Sequence, residues 1–590
     1  MKKGLLLILP ALLALLTIPF VTLSYAAIGD YDLSSPKDGD VDGKDLASFI
    51  AASGSDIAGF AGAFGQTYTV PTVKPNILLI IGDDQGIDVH SNLYPGLISS
   101  LVTKYVNSNV QGTPASLPNL TDRLATQGMV FRNAWAQPYC SPTRATVITG
   151  LFEDKTQVKG PNDPMSSSLR DFTFVKLLKN NGYSTAMIGK WHLAGTGTNG
   201  TLPKQAGFDY YRGHNAAYIP GYWSNSGCTN PSANCYPVHW QDSSTAEGSF
   251  NTIAAGSVPA RSLPAGPAFP EIASTTYEPV VRAADAIDWI NSHAATPWFI
   301  WLAFNLSHVT MQNPNMHVPP ENVLDTAMKD ELNSCLGATG QYGANPPKVG
   351  NCTGKQLMRA MTNAMDTAIG KVLDVVDFSN TYVIFIGDNG TPMYGGTYGN
   401  QIDNMYLDTT GRGKGSAWES GCRVPMAIRG PGIGAGAQKE APVHVADLYA
   451  TILTLAGITP PTQVKDSSGA TTALDSKSLT PILFGSAQDT GRDPNESYLL
   501  TETNTTSFGT RFLGARNATY KVLCPYSLTS MSNCDFYNMI ADPLEHNTPL
   551  TKPISCPVTT CSGHPCTTAD PEWHFCRLWE VLNTYSILAP

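Results

Sequence analysis

Four stretches of this chain are apolar almost without interruption and then turn abruptly polar. They are PNILLIIGDDQG (Pro75–Gly86), YSTAMIGKWH (Tyr183–His192), PWFIWLAFNLSH (Pro297–His308) and TYVIFIGDNG (Thr381–Gly390). A strand with one wet face alternates apolar and polar residues. A continuous apolar run predicts a strand buried on both faces, as in a parallel sheet covered by helices. Helix-like segments lie between and around the runs: LPNLTDRLATQG (117–128), FTFVKLLKNNG (172–182) and LMRAMTNAMDTAIGKVLDVV (357–376). ADLYATILTLAGI (446–458) reads as the last large helix. Strand and helix alternate, which predicts an α/β fold with a large, mainly parallel sheet sandwiched by helices. After 458 shorter strand-like pieces predict a smaller C-terminal α+β domain over 459–590. In open parallel sheets the ligand lies at the carboxyl ends of the strands, so the four polar ends are expected to converge on one site.

The first residues follow a different pattern. Lys2 and Lys3 precede a long apolar stretch, and Tyr25-Ala26-Ala27 offers small residues for cleavage. This is the form of a secretory signal peptide over 1–27, with an uncleaved anchor as the alternative. Residues 28–73 form an acidic Gly/Ala-rich linker. Within it DGDVDGKDLASFI places Asp38, Asp42 and Asp45 at positions 5, 9 and 12 of a loop resembling half of a dockerin-type calcium loop. Ser34 and Pro36 occupy its first ligand positions, so a plain linker is an equal reading. No later segment could span a membrane, and no stable span is expected after signal cleavage.

Composition narrows the partners. The 590 residues are 42% hydrophobic with a net charge of -10, and no basic stripe suits a nucleic acid. Secretion makes disulfides the default for the 12 cysteines. Cys228/Cys235, Cys335/Cys352 and Cys524/Cys534 can each close a local loop. Cys556, Cys561, Cys566 and Cys576 could form a zinc cluster with His564 and His574, but two disulfides are the better expectation. Cys140 and Cys422 are left over.

The strand ends carry the candidate chemistry. Asp83-Asp84 and Asp388-Asn389 supply hard oxygen ligands from two near-identical strands, which favours Ca²⁺, with Mg²⁺ second, over zinc. One acidic pair after a strand is usually a turn or a cap; two make the metal reading better. Lys190 and His192 leave a third strand and His308 a fourth. A lone histidine is more often structural than catalytic, but cations beside a metal imply an anion between them. Lys414 and Arg423, in GRGKGSAWESGCRVP, are either a basic loop or part of the same pocket. Cys140 precedes Pro142 at a predicted helix N-terminus, where backbone N–H groups favour anions. A low-pKa thiolate nucleophile is one reading, although sulfur matches calcium poorly.

CSPTR (Cys140–Arg144) resembles the C-x-P-x-R signature of type I sulfatases. The resemblance extends over roughly Lys74–Asn547 and includes LPNLTDRLATQGMVFRNAWAQPYCSPTRATVITG, GYSTAMIGKWHLAG, both metal strands, KGSAWESGCRVPMAIRGPG and FYNMIADPLEHN. It implies an alkaline-phosphatase-like catalytic domain over 74–458. It implies that a maturation enzyme oxidises Cys140 to formylglycine, an aldehyde that hydrates to a diol. It further implies that Asp83, Asp84, Asp388 and Asn389 hold Ca²⁺ with residue 140 as a further ligand. Arg144 would orient the diol, Lys190, His308 and Lys414 would grip the sulfate, and His192 would contact the residue-140 hydroxyl. His308, alone or with Lys414, would also protonate the leaving alcohol. The chain departs from the family at Glu419-Ser420-Gly421, where a second glycine is usual. His317 rivals His308, because the family often has proline soon after this histidine.

The expected activity is therefore that of a secreted, arylsulfatase-like sulfuric ester hydrolase, periplasmic or extracellular, acting on a sulfated small molecule or glycan. Two alternatives stand beside it. One is a phosphoric or phosphonic monoester hydrolase on the same scaffold. The other is a calcium-dependent binding protein without activity. A serine hydrolase lacks the G-x-S-x-G elbow.

Overall fold

The computed structural model describes residues 74–590 except 106–113, 162, 196–201, 215–238, 242–250, 253–276, 309–315, 345–347, 393–411, 486, 488–498, 503–511, 526–530, 558–559, 562–563 and 589–590. The leader, the loop around Asp38 and the Cys228/Cys235 pair lie outside the described residues. A compact unit begins at Pro75.

Among the described residues, ten strands build the main sheet: β1 (Asn76–Gly82), β2 (Met129–Trp135), β3 (Ser184–Lys190), β4 (Tyr210–His214), β5 (His239–Gln241), β6 (Asn251–Thr252), β7 (Trp298–Ala303), β8 (Thr381–Gly387), β9 (Met426–Arg429) and β10 (Ala437–His444). Their order is β10-β2-β9-β8-β1-β7-β3-β4-β5-β6. The four apolar runs are β8, β1, β7 and β3, adjacent and mutually parallel. The antiparallel β9 joins β8 to β2, and β5 and β6 add antiparallel pairs at the far edge.

The continuous apolar runs have a direct packing consequence. Successive side chains of a strand point to opposite faces. Leu78 and Ile80 of β1 therefore enter one core, with the helices Glu278–Ser292 and Gly354–Leu373. Ile77, Leu79 and Ile81 enter the other, with the helices Cys140–Thr149, Phe174–Asn180 and Asp447–Leu455. Fully burying each such side chain is worth about 1.5–3 kcal/mol, so both faces hold the strands in place. The 117–128 segment forms a π-helical stretch, Asn119–Ala125. Its N-terminal amides are met by Asp366: Oδ2 accepts from the Asn119 N–H at 3.0 Å and Oδ1 from the Leu120 N–H at 2.8 Å.

Past Ile458 the chain first stays on the main core. It forms the hairpin β11 (Gln463–Lys465) and β12 (Thr471–Ala473), and Val464, Leu479, Ile482 and Leu483 join the second face. The C-terminal subdomain is the antiparallel sheet β13 (Leu499–Glu502), β14 (Phe512–Arg516), β15 (Tyr520–Pro525) and β16 (Asp535–Asn538), closed by the helix Pro571–Leu588. A last pair, β17 (Thr560–Cys561) and β18 (His564–Pro565), lies in the tail. Leu513, Val522, Phe536, Phe575 and Leu582 form the subdomain's core, and Phe152 and Ala446 of the main domain enter it.

Disulfides link Cys335–Cys352, Cys524–Cys534, Cys556–Cys576 and Cys561–Cys566. The four tail cysteines thus form two bridges and hold no zinc. Cys140 and Cys422 are unbridged and buried. Among the described residues, no helix is long and apolar enough to cross a membrane.

Candidate active site

Because β8, β1, β7 and β3 are neighbours running the same way, their carboxyl ends deliver Asp388-Asn389, Asp83-Asp84, His308 and Lys190 side by side. Two of the turns are strained. Asp84 has φ 58° and His192 φ 55°, a left-handed backbone that side-chain-bearing residues seldom adopt outside constrained sites. Gly189 has φ 105°, and a Cβ there would lie 1.8 Å from the Ala303 carbonyl oxygen, so only glycine lets β3 approach β7 at this point.

Cys140 is the first residue of the helix Cys140–Thr149, with Pro142 in its first turn and every residue buried. Thr143 Oγ1 accepts from the Gln137 N–H at 3.0 Å, closing the approach loop. Ser141 Oγ donates to the His192 carbonyl at 2.7 Å, pinning the helix start to the β3 exit. The Cys140 sulfur lies 3.4 Å from Asp83 Oδ1. Burial, then Asp388 and Asp83, push its thiol well above the ordinary range. Burial and the carboxylates thus outweigh the helix N-terminus, which disfavours the thiolate reading.

Cations interleave with those carboxylates. Arg144 Nη2 meets Asp388 Oδ2 at 2.7 Å and lies 3.8 Å from Asp83 Oδ2, while Nη1 donates to the Lys190 carbonyl at 2.7 Å. Lys190 pairs with Asp83. Lys414 Nζ reaches Asp84 Oδ1 at 2.5 Å, and Asn389 Nδ2 donates to the same oxygen at 2.8 Å. The Asp84 N–H donates to Asp388 Oδ1 at 3.0 Å. Burial first, then Asp388, raises the Asp83 carboxyl to about 7. Burial works the same way on Asp388, but Arg144, Lys190 and Lys414 outweigh it and hold that carboxyl below its usual range. Burial and the surrounding cations, Lys414 and Lys190 foremost, hold the His308 imidazole neutral.

One ligand atom each from Asp83, Asp84, Cys140 and His308 lies within 4.8 Å of the others. Asp84 Oδ2 and Asn389 Oδ1 are buried without a hydrogen-bond partner. A buried polar oxygen left unmet is costly, and crowded carboxylates repel. A hard divalent cation beside these oxygens relieves both costs, so the donor set fits Ca²⁺ or Mg²⁺. His317 is not in this group; its Nε2 lies 2.9 Å from the Tyr277 hydroxyl. Arg423 also points elsewhere, its Nε donating to the Arg132 carbonyl at 2.7 Å. Of Lys414 and Arg423, only Lys414 enters the site.

The departure at Ser420 has a physical account. Gly421 must be glycine, because a Cβ there would lie 2.1 Å from the Ser416 carbonyl oxygen. Position 420 accepts a side chain, and its hydroxyl donates to the Arg412 carbonyl at 2.8 Å. Sequence reading missed the buried partners of Glu419: Trp135, Arg516 and Lys521. No local pattern links them.

A helix-covered, mainly parallel sheet with carboxylates, an amide and interleaved cations at its carboxyl edge defines a member of the alkaline-phosphatase-like superfamily. Comparison with known proteins narrows this. The family model described as Sulfatase matches residues 75–458, and the chain belongs to that family, as a type I, arylsulfatase-like member. It is 25% identical over 401 residues to arylsulfatase J of Mus musculus, covering 66% of this chain and 53% of that one. It is 25% identical over 443 residues to an arylsulfatase of Hemicentrotus pulcherrimus, covering 71% of this chain and 64% of that one. The chain therefore spans less than two thirds of either relative. The crystal structure of Ps i-CgsB in complex with k-i-k-neocarrahexaose superposes with a TM-score of 0.54 at 20% identity, over 80% of this chain and 88% of that one, a likeness of fold.

Proposed function

We propose that this chain is a sulfuric ester hydrolase that cleaves a sulfate monoester to an alcohol and inorganic sulfate. The observation that carries the reading is the placement of Cys140, at the N-terminus of a buried helix, 3.4 Å from Asp83 and one helical turn before Arg144. A raised thiol pKa makes cysteine itself a poor nucleophile here, whereas its oxidised form would bring oxygen to an oxygen-loving metal. Converted to formylglycine and hydrated, residue 140 would supply an oxygen nucleophile; Asp83, Asp84, Asp388 and Asn389 would hold Ca²⁺, which would supply positive charge against the sulfate.

The remaining chemistry belongs to the chain. Arg144, fixed from both sides by Asp388 and the Lys190 carbonyl, orients residue 140. Lys190 and Lys414 offset negative charge on the non-bridging sulfate oxygens. His308 delivers a proton to the leaving alcohol oxygen. A bound sulfate ester places negative charge among the cations that keep this imidazole neutral, and so favours the protonation it needs. His192 would take the proton from the second hydroxyl of residue 140, so that the carbon–oxygen bond to the sulfate breaks, the aldehyde re-forms and inorganic sulfate leaves. The twofold hydroxyl explains why serine would not serve: it would trap the ester.

Four disulfides among the described residues and a leader-like N-terminal sequence support a periplasmic or extracellular location. The arylsulfatase relatives support a sulfated small molecule as substrate, and the neighbour crystallised with k-i-k-neocarrahexaose keeps a sulfated glycan beside it. Turnover of an aryl sulfate and an aryl phosphate, measured side by side, tests the assignment. Faster sulfate release is expected; faster phosphate release would assign the scaffold to phosphoric monoesters. In the same assay Cys140→Ser is expected to stall within one turnover.

A further inference from the structure

A second cluster of buried charge lies where the C-terminal sheet meets the main domain. Glu419 Oε1 accepts from Trp135 Nε1 at 3.0 Å, and Oε2 pairs with Arg516 Nη1 at 2.8 Å. Glu545 Oε1 pairs with Lys521 Nζ at 2.6 Å, and Oε2 accepts from the Glu419 N–H at 2.7 Å. The Lys521 ammonium lies 3.6 Å from Glu419 Oε1 and 4.8 Å from the Trp135 ring centroid. Trp135 and Glu419 belong to the main domain; Arg516, Lys521 and Glu545 come from the C-terminal subdomain. All five are buried. A buried ion pair is weak evidence for stability, because desolvation offsets most of its attraction. What the pairs hold in place is the more informative question.

They hold the segment that carries Lys414. Arg412 Nη1 donates to the Glu545 carbonyl at 2.7 Å, and Ser420 Oγ returns to the Arg412 carbonyl at 2.8 Å. On its other side the segment is fastened to the site's own backbone. The Lys414 N–H donates to the Thr391 carbonyl at 3.0 Å, the Gly415 N–H to Pro138 at 2.9 Å, and the Gly390 N–H to Gly421 at 2.9 Å. Thr391 and Gly390 follow Asn389 directly, and Pro138 lies just before Cys140. One short segment thus spans from the subdomain's charge cluster to the loops of both the metal-type oxygens and Cys140.

We propose that Glu545 and Glu419 are positioning residues, through which the C-terminal subdomain sets Lys414 against Asp84 and so forms part of the working site. The function of Lys414 rests on the sulfatase reading; its placement does not. The test therefore reads both. Glu545→Gln removes the charge facing Lys521 while keeping the shape. Amine labelling of the intact folded protein, followed by peptide mass spectrometry well below Tm, reports the accessibility of Lys414, with the fully buried Lys190 as an internal control.

In Glu545→Gln, labelling of Lys414 is expected to speed up about tenfold or more while Lys190 stays protected, and kcat on an aryl sulfate to fall by about the same factor with KM little changed. The double variant Lys521→Met/Glu545→Gln, which leaves no unpaired charge, is expected to regain stability without regaining Lys414 protection. It replaces the single variant in the assay if that one does not fold. A lower Tm with unchanged Lys414 protection and unchanged kcat would overturn the proposal and leave the cluster purely structural. If Lys414 responds as expected but the wild type releases no sulfate, the activity assignment fails and the positioning role stands.

Discussion

Arg144→Lys isolates the geometry of one guanidinium from its charge. The fully buried side chain spans two partners, Asp388 Oδ2 and the Lys190 carbonyl, each at 2.7 Å. A lysine ammonium is a point donor on a flexible stem and cannot bridge both in the same plane. It keeps the positive charge that balances Asp388 and Asp83, so the carboxylates are not left alone. The loss is therefore one charge-assisted hydrogen bond, about 1.5–3 kcal/mol. If that bond orients residue 140 during reaction, kcat falls about ten- to a hundredfold. Arg144→Met also strips the charge from buried acids and should cost about 3–5 kcal/mol of stability. The assay is sulfate release per mole of protein whose residue 140 has been converted, with conversion quantified by mass spectrometry and Tm recorded for both variants. Arg144→Lys with wild-type kcat at equal conversion would refute the idea that the two-sided grip matters.

Three further outcomes are expected. Chelation by EGTA should abolish turnover and lower Tm, with Ca²⁺ restoring both more fully than Mg²⁺; retained activity after exhaustive chelation would count against the metal. Gly390→Ala puts a Cβ 1.9 Å from the Ser420 carbonyl oxygen, so it should lose about tenfold or more in kcat, whereas Gly434→Ala, with nothing within 4 Å, should be neutral in the same assay. Asp366 is pushed up to about 6 by burial, against the pull of the Leu120 and Asn119 donors. The folded state then holds a proton that the unfolded state has already released. Its contribution is full below pH about 4 and declines as pH rises through about 6, so the urea midpoint of the wild type should fall relative to Asp366→Asn across that window.

Much of the framework is visible in the chain because parallel strands buried on both faces leave a plain signature. The runs ending at Asp83, Lys190, His308 and Asp388 read as strands, and their adjacency places those ends together. The antiparallel β9 is four residues long and gives no such signal. The helix position of Cys140 is legible in the sequence, but the burial and the two carboxylates that outweigh the helix end come from distant strands. Lys414 and Arg423 are indistinguishable by charge; the backbone path of 412–423 decides which one enters the site. The Glu419–Glu545 contact joins residues 126 positions apart, and no periodicity or spacing announces it. The start of the C-terminal subdomain is blurred for a similar reason: Val464 and Ile482 belong to the main core by packing, not by pattern.

The most direct test of the account is the mass of the tryptic peptide Asn133–Arg144, taken from protein made in its native host. The account predicts the mass of the peptide with an aldehyde in place of the Cys140 thiol, sensitive to carbonyl reagents. An unmodified cysteine in catalytically active protein would contradict it, and would leave the buried neutral thiol as the group to be explained.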